Sequence, residues 1–176
     1  VTWSNSQAAL TNAATLTYTL TFSETVSGLT ASDFAITGCA AVPGITTSNN
    51  ITYTITLTGC ASGSTIGIKL NSGAVIDQAS NAGPASDTAV ISRTVDYNAP
   101  QVSWGSNPPS PTKINSTFSI QFSEHVNGFG ANLITNAGTS TGCVFSLTTI
   151  VAGWTYSVEV SSCSDGTLIP VITANS

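Results

Sequence analysis

The sequence predicts an all-β protein made of two tandem β-sandwich domains. Three observations support this prediction. Apolar residues alternate with Thr or Ser over several short segments, no segment shows the helical period of 3.6, and the two halves of the chain repeat each other. About three residues in ten are Ser or Thr, and Thr suits the half-buried surface of a pleated sheet.

The two halves share the same motifs in the same order. Residues 1–3 recur at 102–104, TFSETVSG at 21–28 recurs as QFSEHVNG at 121–128, and 51–55 recurs at 154–158. The offset stays near 100 residues and drifts by small insertions, as loops of a repeated domain do. We therefore expect one repeat at 1–98 and a second at 99–176, joined through DYNAP at 96–100.

Strands are predicted wherever apolar side chains occupy every second position. The segments are 16–22, 51–57, 66–70 and 90–95 in the first repeat, and 118–122 and 156–160 in the second. A repeat of about 100 residues with about seven short strands has the size of an immunoglobulin-like sandwich. The fold class is thus two tandem immunoglobulin-like β-sandwiches.

The second repeat is predicted to lack its last strand within this sequence. The alignment sets Ile172 against Lys69, and residues 73–95 of the first repeat have no counterpart before Ser176. A sandwich without its final strand leaves unpaired backbone groups on the neighbouring strand. We expect either that the chain continues or that a strand from another molecule fills the gap.

The charge of the chain excludes two classes of partner. Three basic residues against eight acidic ones give a net charge of −5. Nucleic-acid binding needs a basic surface that displaces phosphate counterions, and a polybasic membrane attachment needs the same. No apolar run approaches the roughly 20 residues that span a membrane as a helix. We predict neither a nucleic-acid partner nor membrane insertion.

Four cysteines fall as two in each repeat, at matched positions. Pairing within repeats gives Cys39–Cys60 and Cys143–Cys163, one of three possible connectivities. The spacing does not suit zinc, which favours closely spaced Cys pairs and His. We expect disulfides, which imply an oxidising compartment, at the ends of strands, where they hold a loop region together.

Residues for catalysis are few. His125 is the only His, and the first repeat has Thr25 in its place. No nucleophile elbow surrounds any Ser, and nothing favours Glu159 and Asp165 as a glycosidase pair. We interpret His125 as a surface loop residue and predict that the chain is not an enzyme.

The motifs resemble bacterial Ig-like repeats. The resemblance rests on FSETVSGLTASDF at 22–34, AVID at 74–77 followed by NAG at 81–83, and the junction at 96–100. The second repeat departs from it after Gly128, where FGANLI replaces LTASDF. Such repeats occur in large bacterial surface adhesins and surface-layer-associated proteins, usually as stalks. The resemblance implies an extracellular, cell-surface segment with a structural or adhesive role.

Acidic residues are predicted to gather at the poles of the sandwiches. Glu24 and Glu124 end the second strands, and Asp77 lies in the loop that returns to the same pole. Asp96 lies in the linker, where we expect it to reach the pole of the second repeat beside Glu124, so that calcium would bind at this joint. Oxygen ligands of this kind suit Ca²⁺, which takes six to eight of them. In the alternative interpretation, Glu24 and Glu124 accept hydrogen bonds from loop N–H groups. Calcium is the one cofactor that we consider.

The aromatic residues leave a second function open. Trp3 and Trp104 recur at the same strand position, so we expect both to pack in the cores. Trp154 has no aromatic counterpart; we favour packing, with a sugar-stacking platform as the alternative. The alternative function is a carbohydrate-binding module of a secreted protein. The partners to consider are neighbouring repeats, strand-donating copies of the chain, surface glycans and other cells.

Overall fold

A computed structural model of the protein describes residues 1–105 and 116–173. The chain divides into two compact units, unit 1 (Val1–Asn98) and unit 2 (Ala99–Ser176). Among the described residues, the regular elements of both units are strands, apart from one short 3-10 turn in each, at Ala31–Asp33 and at Ala131–Leu133. The predicted all-β class is confirmed.

Unit 1 forms two four-stranded sheets and one small three-stranded sheet. The first has the order β1-β3-β7-β6, the second β2-β11-β8-β5, and the small one β10-β9-β4. The strands are β1 (Thr2–Ser4), β2 (Leu10–Thr11), β3 (Thr15–Thr21), β4 (Val26–Ser27), β5 (Phe34–Thr37), β6 (Gly44–Thr47), β7 (Thr52–Thr58), β8 (Thr65–Leu70), β9 (Val75–Asp77), β10 (Ala82–Gly83) and β11 (Ile91–Val95).

The core of unit 1 follows from the alternation in β3 and β7. These two strands pair antiparallel over seven residues without a shift. Tyr18 and Leu20 of β3 and Ile55 of β7 are fully buried, whereas the Thr side chains between them face outward. Ile66 and Ile68 of β8, in the second sheet, are buried in the same cluster. A period of two thus gives each sheet one apolar face, and the two faces pack on each other.

One strand pair of unit 1 is parallel. β2 lies beside β11, with Leu10 opposite Thr94 and Thr11 opposite Val95. The other pairs in the four-stranded sheets are antiparallel. The parallel pair therefore brings a strand near the start of unit 1 beside the strand that ends it.

Unit 2 repeats this arrangement over its described residues. One sheet has the order β12-β13-β16-β15, which corresponds to β1-β3-β7-β6, and β14 pairs with β17 as β5 pairs with β8. The strands are β12 (Val102–Trp104), β13 (Ser116–Phe122), β14 (Ile134–Asn136), β15 (Val144–Val151), β16 (Thr155–Ser161) and β17 (Pro170–Ile172).

The strand register corrects one detail of the sequence alignment. Phe34 pairs with Leu70 in unit 1, and Ile134, which also follows a 3-10 turn, pairs with Ile172 in unit 2. Ile172 therefore corresponds to Leu70, and its alignment with Lys69 is wrong by one residue. The loop after the second cysteine is one residue shorter in unit 2, and a slip of one residue exchanges the two faces of a strand.

Two glycines of unit 1 provide a matched test of the fold. Gly28 and Gly38 both have positive φ, +92° and +74°, but a Cβ at Gly28 meets nothing within 4 Å, whereas one at Gly38 collides with the carbonyl oxygen of Thr65. Gly28→Ala should cost about 1–2 kcal/mol of unfolding free energy through backbone strain. Gly38→Ala should cost about 1–3 kcal/mol more, because the backbone at Thr65 must move to make room for the added Cβ. Hydrogen exchange of β8 amides at increasing urea measures both losses, and equal losses would contradict the close approach of Gly38 to the Thr65 carbonyl.

Candidate functional site

Each unit contains one disulfide next to its strands. Cys39 follows β5 and Cys60 follows β7, so Cys39–Cys60 joins the ends of strands from the two large sheets of unit 1. In unit 2, Cys143–Cys163 joins the residue before β15 to a residue beyond β16. Both bonds lie within a repeat and at strand ends, and the described residues include no free cysteine.

Two of the predicted calcium ligands line one cleft of unit 1. The cleft has a volume of about 190 Å³, and Glu24, Asp77 and Asn81 are among its lining residues. The pairing of β4 with β9 brings them there, because Val26 lies opposite Asp77. Glu24 is exposed and Asp77 is half-buried. The sequence therefore anticipated which acidic residues of unit 1 share a pole.

The carboxylate of Asp77 is already engaged by a neighbour. The backbone N–H of Asn81 donates to Oδ1 at 2.8 Å, and its side-chain Nδ2 donates to Oδ2 at 2.9 Å. These bonds favour the ionised carboxylate, and they lower the pKa of Asp77 below its ordinary value. At pH values above the ordinary carboxyl pKa, the ionised Asp77 carboxylate thus stabilises the folded state. This contribution to the free energy of unfolding is lost as the pH falls through the lowered pKa.

A family model for the bacterial Ig-like domain matches residues 1–93. This match covers more than half of the chain and includes both large sheets of unit 1 except the last two residues of β11. The chain belongs to the bacterial Ig-like domain family. No curated protein matches the chain, and no solved structure matches it. None of the helices in the described residues is long and apolar enough to cross a membrane.

The remaining two predicted ligands of this bacterial Ig-like chain lie in different units. Asp96 is half-buried in unit 1 and accepts a hydrogen bond from Ser62 Oγ at 3.1 Å. Glu124 is half-buried in unit 2. Within residues 1–105 and 116–173, no three His, Cys, Asp or Glu side chains form a group that could hold a metal ion. Calcium binding stays a prediction from the sequence.

The aromatic residues separate into core and surface groups. Trp3 packs against the core of unit 1 and Trp104 against that of unit 2, as predicted. Trp154 is 40% exposed and lies outside the core cluster of unit 2, so it does not pack in the core. Its ring lies edge-to-face with His125, with the centroids 6.3 Å apart. Gly153 makes room for this contact, because a Cβ there would collide with the His125 ring.

Sequence reasoning missed the role of Arg93. This residue is the only Arg in the chain, and it lies on β11, where its Nε donates to the backbone oxygen of Gln7 at 3.0 Å. The contact ties β11 to the segment that leads into β2. A lone Arg in the middle of a predicted strand was the available signal, since an Arg side chain that is drawn towards the protein interior is usually paired.

Calcium binding is tested by thermal unfolding of the whole chain. If Asp96 supplies a ligand, calcium chloride should raise the melting temperature, because a ligand that binds the folded state stabilises it. Asp96→Ala should abolish that rise. Asp165→Ala is the matched control, since it removes one exposed carboxylate from unit 2. A melting temperature that calcium leaves unchanged in the unsubstituted protein would show that the acidic residues serve no metal.

Proposed function

We propose that the chain is a load-bearing stalk segment of an extracellular bacterial surface protein or filament, with a structural or adhesive role and no catalysis. Membership of the bacterial Ig-like family supports the structural or adhesive role. The disulfides support an extracellular location, because such bonds persist in oxidising environments. The observation that carries the proposal is the parallel pairing of β2 with β11.

The parallel pair is arranged to resist force along the chain. β2 lies near the start of unit 1 and β11 at its end, and the two strands run in the same direction. Tension that reaches β2 from its N-terminal side, beyond the β1–β3 pair, and β11 from its C-terminal side therefore pulls these two strands past each other. The bonds from Thr94 N–H to the Ala9 oxygen and from Asp96 N–H to the Thr11 oxygen, both 2.8 Å, are then loaded together. Bonds loaded together must break together, whereas an antiparallel pair pulled from one end opens one bond at a time.

Arg93 reinforces the same pair. Its hydrogen bond to Gln7 links β11 to the residues before β2 and is loaded in the same direction as the backbone bonds. The side chain is half-buried, so water competes less for this bond than it would at a fully exposed position. A charged donor also makes a stronger hydrogen bond than a neutral one.

Single-molecule pulling on the whole chain, held at its two ends, tests the proposal. Arg93→Met should lower the unfolding force of unit 1 and leave that of unit 2 unchanged. The matched control is Lys69→Met, which also removes one positive charge from the same sheet. Lys69 pairs with Asp87 instead of the β2 segment, and an exposed ion pair of this kind contributes about 0–1 kcal/mol. Equal forces for Arg93→Met and the unsubstituted chain would contradict a load-bearing β2–β11 pair.

The disulfides identify which unfolding event belongs to which unit. Cys39 and Cys60 are 21 residues apart and Cys143 and Cys163 are 20 apart, so each oxidised bond hides about 70 Å of extended chain. Replacing both Cys39 and Cys60 with Ser should lengthen only the unit 1 event by that amount.

A second candidate function is carbohydrate binding, which the exposure of Trp154 favours. A partly exposed indole ring provides apolar surface against which a sugar ring can stack. Binding of the chain to an array of bacterial and host glycans tests this candidate. Trp154→Ala should abolish any binding, whereas Tyr97→Ala, at another exposed aromatic residue, should not. No bound glycan, or binding that survives Trp154→Ala, would exclude a site at Trp154.

A further inference from the structure

We propose that the outer edge of β15 in unit 2 is a self-association site. There, β15 of a second copy of this chain pairs antiparallel with it, about a two-fold axis through Leu147. This contact is independent of the stalk function and of the β2–β11 pair. It rests on the position of β15 in its sheet, on its lack of charge and proline, on its outward backbone groups and on the symmetry of its side chains.

β15 lies at an edge that the fold leaves open. The sheet order β12-β13-β16-β15 gives β15 one neighbour, β16, among the described residues. Its counterpart in unit 1, β6, is likewise the last strand in the order β1-β3-β7-β6. Every residue of unit 1 is described, and none of its strands covers the outer side of β6. The open edge is therefore a property of the sandwich itself.

Unit 1 protects this edge, whereas unit 2 does not. Thr47 of β6 and Thr149 of β15 lie opposite equivalent tyrosines, so Pro43 corresponds to Phe145. β6 has four residues and begins directly after Pro43, and both a short strand and a proline discourage pairing at an edge. β15 has eight residues, VFSLTTIV, with neither proline nor charge. A segment of this kind pairs readily with another strand.

The backbone of β15 presents hydrogen-bonding groups at the open edge. The Trp154 oxygen accepts from the Phe122 N–H at 2.9 Å, so every second residue of β16, counted from Trp154, bonds to β13. The residues between them bond to β15, at its even-numbered positions before the bulge at 149–151. Since backbone groups alternate along a strand, the groups that point to the open edge are those of the odd-numbered residues Phe145, Leu147 and Thr149.

The solvent-facing side chains of β15 are symmetric about Leu147. Val144 and Val151 lie at the two ends, 53% and 51% exposed, and two hydroxyl side chains lie between them. Because of the bulge, Thr149 and Val151 occupy successive positions of the ladder with β16. Antiparallel pairing centred on Leu147 thus places Val144 of each copy opposite Val151 of the other. Such a pair has no backbone bonds between its residues, so its side chains approach closely.

The same register covers the side chains that face the core. Phe145 and Leu147 pack against the core of unit 2, but both are only half-buried. In the pair, Leu147 lies opposite its own counterpart, and Phe145 lies opposite Thr149. Apolar groups therefore meet apolar groups, hydroxyls meet hydroxyls, and no charge faces another, as a two-fold contact between identical surfaces requires. This self-complementarity favours a second copy over a strand that carries charged side chains.

The antiparallel pair turns the two copies of unit 2 in opposite directions. A contact along one strand edge is smaller than a standard protein interface, so we expect a dissociation constant between about 1 μM and 1 mM. On the proposed surface location, the contact would join chains that project from two facing surfaces. Only this last consequence depends on that location, and the dimer itself is measured with the purified chain.

Sedimentation and residue-resolved hydrogen exchange of the whole chain at rising concentration test the site. The chain should form a reversible dimer. Exchange of the Leu147 amide should slow in proportion to the fraction of dimer, because its N–H gains a partner. The Thr148 amide, which already faces β16, is the internal control and should not change.

Charged variants test the register. A chain with Val144→Lys and Val151→Lys should dimerise at least about tenfold more weakly, because like charges then face each other at both ends. A chain with Val144→Asp and Val151→Asp should behave in the same way, whereas an equimolar mixture of the two should restore the dimer. The matched control is Val42→Lys, at the position of unit 1 that corresponds to Val144 and is 79% exposed. It should leave the dissociation constant unchanged.

Four results would overturn the site. A chain that stays monomeric at about 1 mM lacks it. A dimer that both charged variants retain pairs through another surface, and a mixture that does not restore the dimer contradicts the axis at Leu147. Association that continues beyond the dimer while the Leu147 amide stays unprotected also contradicts it, because a two-fold contact closes on itself.

Discussion

The packing of two apolar sheet faces is the constraint on which the rest of the structure depends. Only 6% of the residues are charged, so the outer faces of the sheets are covered mainly by hydroxyl groups. Because the inner faces must be apolar to pack on each other, every second residue of a long strand must point inward. In β3 and β7 this condition holds over seven paired residues, from Thr15 opposite Thr58 to Thr21 opposite Thr52. A shift by one residue would expose Tyr18 and bury Thr, at the cost of both burial and unsatisfied hydroxyls.

The same constraint places the features with functional interest at the margins of the sheets. The disulfides connect strand ends, and the cleft with Glu24 and Asp77 lies where the short strands β4 and β9 meet. The faces of the sheets are occupied by core packing or covered with Thr. The proposed mechanical load therefore acts on strand edges and loops.

The two units differ in how completely this constraint is met within the described residues. In unit 1 the second sheet has four strands, and β8 lies between β5 and β11. In unit 2 the described part of that sheet consists of β14 and β17; Ile134 of β14 is buried, whereas Pro170 and Ile172 of β17 stay half-buried.

By itself, the sequence determined the all-β class, the repeat, the long strands and the acidic residues of unit 1 that share a pole, because each depends on local alternation or on repetition along the chain. The tertiary structure decided the rest. The parallel pairing of β2 with β11, the Arg93–Gln7 bond and the exposure of Trp154 depend on contacts between distant segments, and a two-residue strand such as β2 has no period to detect. The alignment of Ile172 with Lys69 failed for a related reason: a loop shortened by one residue changes which face a side chain occupies, and only the pairing with β14 reveals it.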